Sequence, residues 1–122
     1  LVKRISLKTS ADFRQVYSFG KRFDGELMTV FVLQNKLANH RLGLTASRKA
    51  IGNAVLRNRS KRVLRETFRL SDLQALQKNY DWVINAKRKI LRVKTQDAMA
   101  DFLKIIARVV CDEQSVSNKA GK

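Results

Sequence analysis

The sequence predicts an α+β fold in which helices partly cover one small sheet. Two apolar runs, Leu27 to Leu33 and Tyr80 to Ala86, are rich in β-branched and aromatic residues, as strands are. Three other stretches place their apolar residues at helical spacing, and the two patterns interleave along the chain. At 122 residues the chain is a single domain with room for one modest core. Neither an internal repeat nor a low-complexity linker divides it.

Residues 1–9 (LVKRISLKT) are basic and aperiodic, which predicts an extended N-terminal arm. Ser10 is an N-cap type, and a short helix from Ala11 to Phe19 follows, with Phe13 and Tyr17 at i,i+4 on one face and Gly20 at its end. From Lys21 the pattern turns to strand, Gly25 marking a bend before Leu27 to Leu33. Asn35 to His40 reads as a turn. The alternating RLGLTAS, Arg41 to Ser47, reads as a strand hairpin-connected to the one before it.

A helix is predicted from Asn53 to Leu70, with Asn53 as its N-cap and no Gly or Pro inside. Ser71 to Asn79 is expected to add a turn or two of helix. Tyr80 to Ala86 is a buried strand with Trp82 and Ile84 on one face, and Lys87 to Lys94 is a basic connection. Thr95 is expected to cap a last amphipathic helix, Gln96 to about Asp112, and 114–122 to form a frayed tail.

The stretch from Arg48 to Arg69 sets eight Lys/Arg against one Glu. At 100° per residue, Leu56, Val63 and Leu70 align as the core-facing stripe, flanked by Ser60, Leu64 and Thr67. On the far side Arg57, Asn58, Lys61, Arg62, Arg65 and Arg69 crowd together with no acid among them. Solvated helices usually alternate Glu with Lys at i,i+4. Stacking Arg57, Lys61 and Arg65 at that spacing instead costs about 0.2–0.5 kcal/mol per like-charge pair. A ligand that supplies negative charge accounts for the arrangement. The preference for Arg points to phosphate, which a guanidinium grips bidentately.

Composition agrees, since 26 Lys/Arg against 10 Asp/Glu leave a net charge of +16. That balance indicates a nucleic-acid partner. The sequence has no apolar run of membrane-spanning length and no signal-peptide pattern, so a soluble cytoplasmic protein without a membrane partner is expected. One cysteine, Cys111, and one histidine, His40, supply neither a disulfide nor a zinc ligand set, and no protein-bound cofactor or metal is expected.

The residues RLGLTASRKAIGNAVLRNRSKRVLRETFR, Arg41 to Arg69, with Arg57-Asn58-Arg59 at their centre, resemble the signature of the bacterial ribonuclease P protein subunit. Upstream, ADFRQVYSFGKR is similar to that family's aromatic helix followed by Gly. Downstream, Asp81 to Arg88 repeats its strand and basic pattern. The resemblance implies a four-stranded sheet and three helices in the order α-β-β-β-α-β-α, with a left-handed crossover through the basic helix against the usual right-handed preference. It implies a partner RNA subunit that carries the catalysis with Mg2+, and a particle that removes the 5′ leader of precursor tRNA. The RNA-subunit contacts it implies fall on Arg57, Asn58, Arg59, Lys61, Arg62 and Arg65. Arg48, Lys49 and Arg69 extend the same basic surface. Leader contacts fall on Phe13, Tyr17 and Phe31, which suit single-stranded RNA as aromatic platforms beside a basic groove.

A phosphodiesterase made of protein needs clustered carboxylates for metal ions or paired histidines. The acids here are scattered and His40 is alone, so no catalytic residue is assigned. No obligate protein partner is evident. The competing reading is an RNA-binding module of another ribonucleoprotein such as the ribosome. A protein nuclease is the third. Arg59 sits toward the apolar side of its helix and is expected to snorkel or touch a neighbouring element.

Overall fold

The computed structural model describes residues 5–120, with side chains described over 6–115. Its elements are β1 (Ile5–Ser6), α1 (Ser10–Phe19), β2 (Lys21–Asp24), β3 (Met28–Gln34), β4 (Arg41–Thr45), α2 (Ala54–Leu70), β5 (Tyr80–Ala86), a 3-10 helix (Arg88–Arg92) and α3 (Thr95–Ala120). The sheet runs β1-β4-β5-β3-β2. Strands β2 to β5 are the four expected, and β1 adds a fifth at the edge. The predicted arm is therefore corrected where it is described: Ile5 and Ser6 pair in parallel with Arg41 and Leu42, and Leu7 is buried. Residues 1–4 lie outside the described residues.

The expected hairpin between β3 and β4 does not form. β5 lies between them, antiparallel to β3 and parallel to β4. Its composition explains its place, because five of its seven residues are apolar and Asp81 is buried only with its carboxylate bonded to Arg41 and Asn35, so both faces can be covered as a central strand requires. Period-two alternation sends Trp82 and Ile84 to the main core with Val30, Phe102 and Leu64, and Val83 to the opposite face with Val16 and Leu7. Helices α2 and α3 cover the first face. α1 covers part of the second.

Asn53 caps α2 as predicted, its Oδ1 accepting from the Leu56 N–H at 3.0 Å. The stripe itself is rotated. Ser60, Leu64 and Thr67 are its buried centre, Leu56 and Val63 are half-buried, and Leu70 is 48% exposed. Small hydroxyl residues serve there because α3 packs along this side, and each satisfies its own oxygen: Ser60 donates to the Leu56 carbonyl at 2.9 Å and Thr67 to the Val63 carbonyl at 2.8 Å. Thr9, rather than Ser10, caps α1 by accepting from the Asp12 N–H.

Residues 71–79 hold no helix, contrary to expectation. The Glu113 carboxylate fixes that loop instead, accepting from the Gln77 and Lys78 N–H groups and from the Tyr80 hydroxyl. Thr95 begins α3 but Asp97 caps it, accepting from the Lys94 N–H at 3.1 Å. α3 also continues to Ala120, so the expected tail from 114 is helical as far as it is described.

His40 ties the start of β4 to β5. Its Nδ1 accepts from the Tyr80 N–H at 3.0 Å and from the Trp82 indole N–H at 3.1 Å. Burial lowers its pKa below the ordinary histidine value, partly opposed by the Glu113 charge. The unfolded chain therefore binds the proton more readily, and stability falls as pH drops through and below about 6.5. His40→Asn retains an acceptor in place of Nδ1 and cannot titrate. Urea unfolding from pH 7.5 to 5 is expected to give a flatter stability profile for the variant than for the wild type, and parallel profiles would remove His40 as the cause.

Candidate RNA interface

Two surfaces answer to the residues singled out by sequence. The first is the outer side of α2, where Asn58, Arg59, Arg62, Arg65 and Arg69 are exposed and Arg57 and Lys61 half-buried. Arg57, Lys61 and Arg65 have no carboxylate within ion-pair distance among the described residues. Arg69 departs from expectation, since Glu66 one turn before it takes its guanidinium in an ion pair. The Glu66 carboxylate also raises the Arg69 pKa. Arg59 points to solvent, and among the described residues it bonds to no neighbouring element.

Arg48 and Lys49 are exposed in the turn that precedes the helix. That turn is built to hold them out: Ser47 Oγ accepts from the Ala50 N–H, Ile51 anchors it in the core, and Gly52 takes a φ of 117°, a conformation open to glycine.

The second surface is the cleft between α1 and the sheet. Tyr17 is 39% exposed and meets Phe31 edge to face, with ring centroids 4.8 Å apart. Its hydroxyl donates to Asn85 Oδ1 at 2.9 Å, and Thr45 donates to the same oxygen. The Arg22 guanidinium lies 5.8 Å from the centre of the Phe31 ring. Phe13 sits apart from this pair. It is half-buried, packed over Gly43 beside Leu7, and belongs to the small core under α1. Phe31 joins the two sites: half-buried like Phe13, it packs on the same small core and also carries the edge-to-face contact with Tyr17.

Asn85, Thr45 and Arg22 were not singled out by sequence. A signal for Asn85 existed, since with Asp81 it is one of two polar members of a largely apolar run, and alternation places it on the face opposite Trp82 and Ile84. Thr45 becomes visible only once β4 and β5 are registered, Thr45 against Asn85. These strands are parallel, so the chain leaves both at the same end of the sheet. Arg48 and Lys49 follow β4 there, and Lys87, Arg88 and Lys89 follow β5. A cationic edge thereby connects the cleft with the N-terminal end of α2, where the helix dipole adds positive potential.

Acidic groups near the cleft are neutralised. Arg22 and then Thr29 hold Asp24 as a carboxylate, with its pKa below the usual range. Asp81, buried, accepts two hydrogen bonds from Arg41 at 2.8 and 2.6 Å. Among the described residues, no three His, Cys, Asp or Glu are grouped to hold a metal ion.

A ribonuclease P family model matches residues 1–110. The chain belongs to the ribonuclease P protein family. This makes it a subunit of the ribonuclease P ribonucleoprotein, the particle of tRNA 5′ processing, working with the ribonuclease P RNA. The ribonuclease P protein component of Clostridium kluyveri is 41% identical over 83 residues, which cover 67% of this chain and 73% of that one. Two solved structures share the fold. The ribonuclease P protein of Thermotoga maritima gives a TM-score of 0.74 at 29% identity, covering 86% of this chain and 97% of its own. That of Staphylococcus aureus gives 0.70 at 30% identity, covering 88% and 95%. The reading as a module of an unrelated ribonucleoprotein is thereby set aside.

Gly43 controls how closely α1 approaches the sheet, because a Cβ there would lie 2.6 Å from the Phe13 ring and 3.1 Å from Leu7. Gly43→Val is expected to lower unfolding stability by about 1–3 kcal/mol through overpacking. Combining it with Phe13→Ala should cost less than the two single changes added together, as a double-mutant cycle in urea would register.

Proposed function

We propose that α2 and its preceding turn hold the RNA subunit, that the Tyr17–Phe31 cleft takes the 5′ leader of precursor tRNA, and that cleavage itself is performed by the RNA with Mg2+. The observation that carries this reading is the line Arg57, Lys61 and Arg65, three cations one turn apart with no carboxylate within ion-pair distance among the described residues. A phosphate backbone relieves their mutual repulsion and releases its own counterions on binding. Arg48, Lys49, Asn58, Arg59, Arg62 and Arg69 extend the contact. In the cleft, an unpaired leader base has the Tyr17 and Phe31 rings to stack on, and the Asn85 bond holds the Tyr17 ring in place. The protein contributes charge screening and orientation of the substrate, which is enough to promote a reaction whose chemistry lies elsewhere. No described helix is long and apolar enough to cross a membrane, and this reading places the particle in the cytoplasm.

Incubating precursor tRNA and Mg2+ with the protein alone, the cognate RNA alone, or both tests the division of labour. Turnover should require the RNA and increase when the protein is added. Cleavage by the protein alone would reverse the assignment.

Salt dependence tests the α2 face. Replacing Arg57, Lys61 or Arg65 with alanine should reduce the log–log slope of RNA affinity against salt by about 0.7–0.9 for each phosphate no longer neutralised. Arg69→Ala should change it less, since Glu66 already compensates that charge. An unaltered slope for all four would leave the face merely solvated.

In the assembled particle, Tyr17→Ala should weaken binding of precursor tRNA by about 1–3 kcal/mol and leave leaderless tRNA unaffected. Equal losses on both substrates would assign Tyr17 to folding instead.

A further inference from the structure

At the β1–β4 side of the sheet, α2, these two strands and the Ser71–Asn79 loop line a cavity of about 560 Å³ that reaches round the edge to Leu7, Phe13 and Gly43 on the α1 side. Leu42, Leu44, Phe68, Leu73 and Leu76 give it an apolar lining, and its charged groups are Lys61, Arg65 and Arg69 with one acid, Asp72, which accepts from the Gln74 N–H. The volume falls within the range of pockets that take small organic ligands. The combination is specific: a flat apolar group fits within, and an anion fits at the mouth.

His40 adds a fixed polar group to the wall. Two N–H donors occupy its Nδ1, so the ring proton sits on Nε2, and that edge remains to donate to a ligand. An RNA lying along α2 passes this mouth, because Lys61 and Arg65 belong to both surfaces.

We propose that this cavity receives one unpaired nucleotide of the RNA subunit, its base against Leu42, Leu44 and Phe68, its phosphate on Lys61 and Arg65, and a base acceptor on His40 Nε2–H. The inference rests on the assignment of α2 to the RNA subunit. It adds a pocket that recognises a base where that assignment needs only charge.

Trp82 is the single tryptophan and its indole N–H bonds His40 Nδ1, so its NMR resonance reports on the cavity. Titrating the full chain with AMP or UMP should move that resonance saturably, whereas inorganic phosphate should not. Leu73→Phe and Gln74→Phe, two loop changes that fill the cavity, should abolish the response. Tyr17→Ala, outside the cavity lining, should retain it. In the complex with the RNA subunit, each filling variant should lower affinity about 5- to 100-fold and expose one unpaired nucleotide to dimethyl sulfate that the wild type protects.

An equal response to phosphate alone would reduce the site to an anion contact and overturn the proposal. So would a response seen only after residues 1–4 are removed, which would make the chain's own start the occupant. If both filling variants, folded by circular dichroism, keep affinity and protection while Arg57→Ala loses affinity, the pocket fails and the α2 assignment stands. If Arg57→Ala also binds normally, the α2 assignment fails with it.

Discussion

β5 is buried on both of its faces, and that two-sided burial arranges everything else. Trp82 and Ile84 require a cover of two helices on one side, while Val83 requires only the short apolar edge of α1 on the other. The second face is consequently incomplete. Beyond the reach of α1 it shows Asn85, Thr45 and Phe31 to solvent, and that unfinished half is the cleft. An extra helix there would complete the core and close the surface that the leader reading requires. The parallel pairing of β4 with β5 follows from the same central strand. It brings the basic segments after each strand to one end of the sheet, next to the start of α2.

Charge is arranged by a comparable division. Most of the acids are engaged in holding the fold together. Asp81 fixes Arg41, Asp101 accepts from the Glu26 and Leu27 N–H groups at the β2–β3 turn, and Glu113 secures the loop before β5. Asp97 and Asp72 accept from nearby backbone N–H groups. Few carboxylates are left to temper the cations on the outside. A net charge of +16 is thus less informative than its distribution. The same protein with its acids on the outer side of α2 would have equal charge and no face for phosphate.

The α2 surface is legible in sequence nearly in full. Helix phase follows from 3.6 residues per turn, so the placement of Arg57, Lys61, Arg62 and Arg65 opposite the apolar stripe needs no knowledge of neighbours. Even there, the centre of the stripe lies at Ser60, Leu64 and Thr67 rather than at Leu56, Val63 and Leu70, because close packing of α3 favours small residues over large ones. The arm and the tail depart from expectation for a related reason. Ile5 and Ser6 become a strand by pairing with β4, and α3 extends past the point where apolar periodicity fades.

What the sequence determined by itself was local: the strands at β3, β4 and β5, the Asn53 cap, the basic face of α2 and the signature that places the chain in its family. These depend on residues a few positions apart, whose geometry the backbone dictates. Only the tertiary structure decided which strands are neighbours, that Phe31 packs on the same small core as Phe13 while meeting the Tyr17 ring, and that Asn85 and Thr45 meet at the Tyr17 hydroxyl. Tyr17 and Asn85 lie 68 positions apart in the chain. Their contact arises from inserting β5 between β3 and β4, a pairing set by burial of both faces of one strand, and no periodicity along the chain encodes which partners that burial selects.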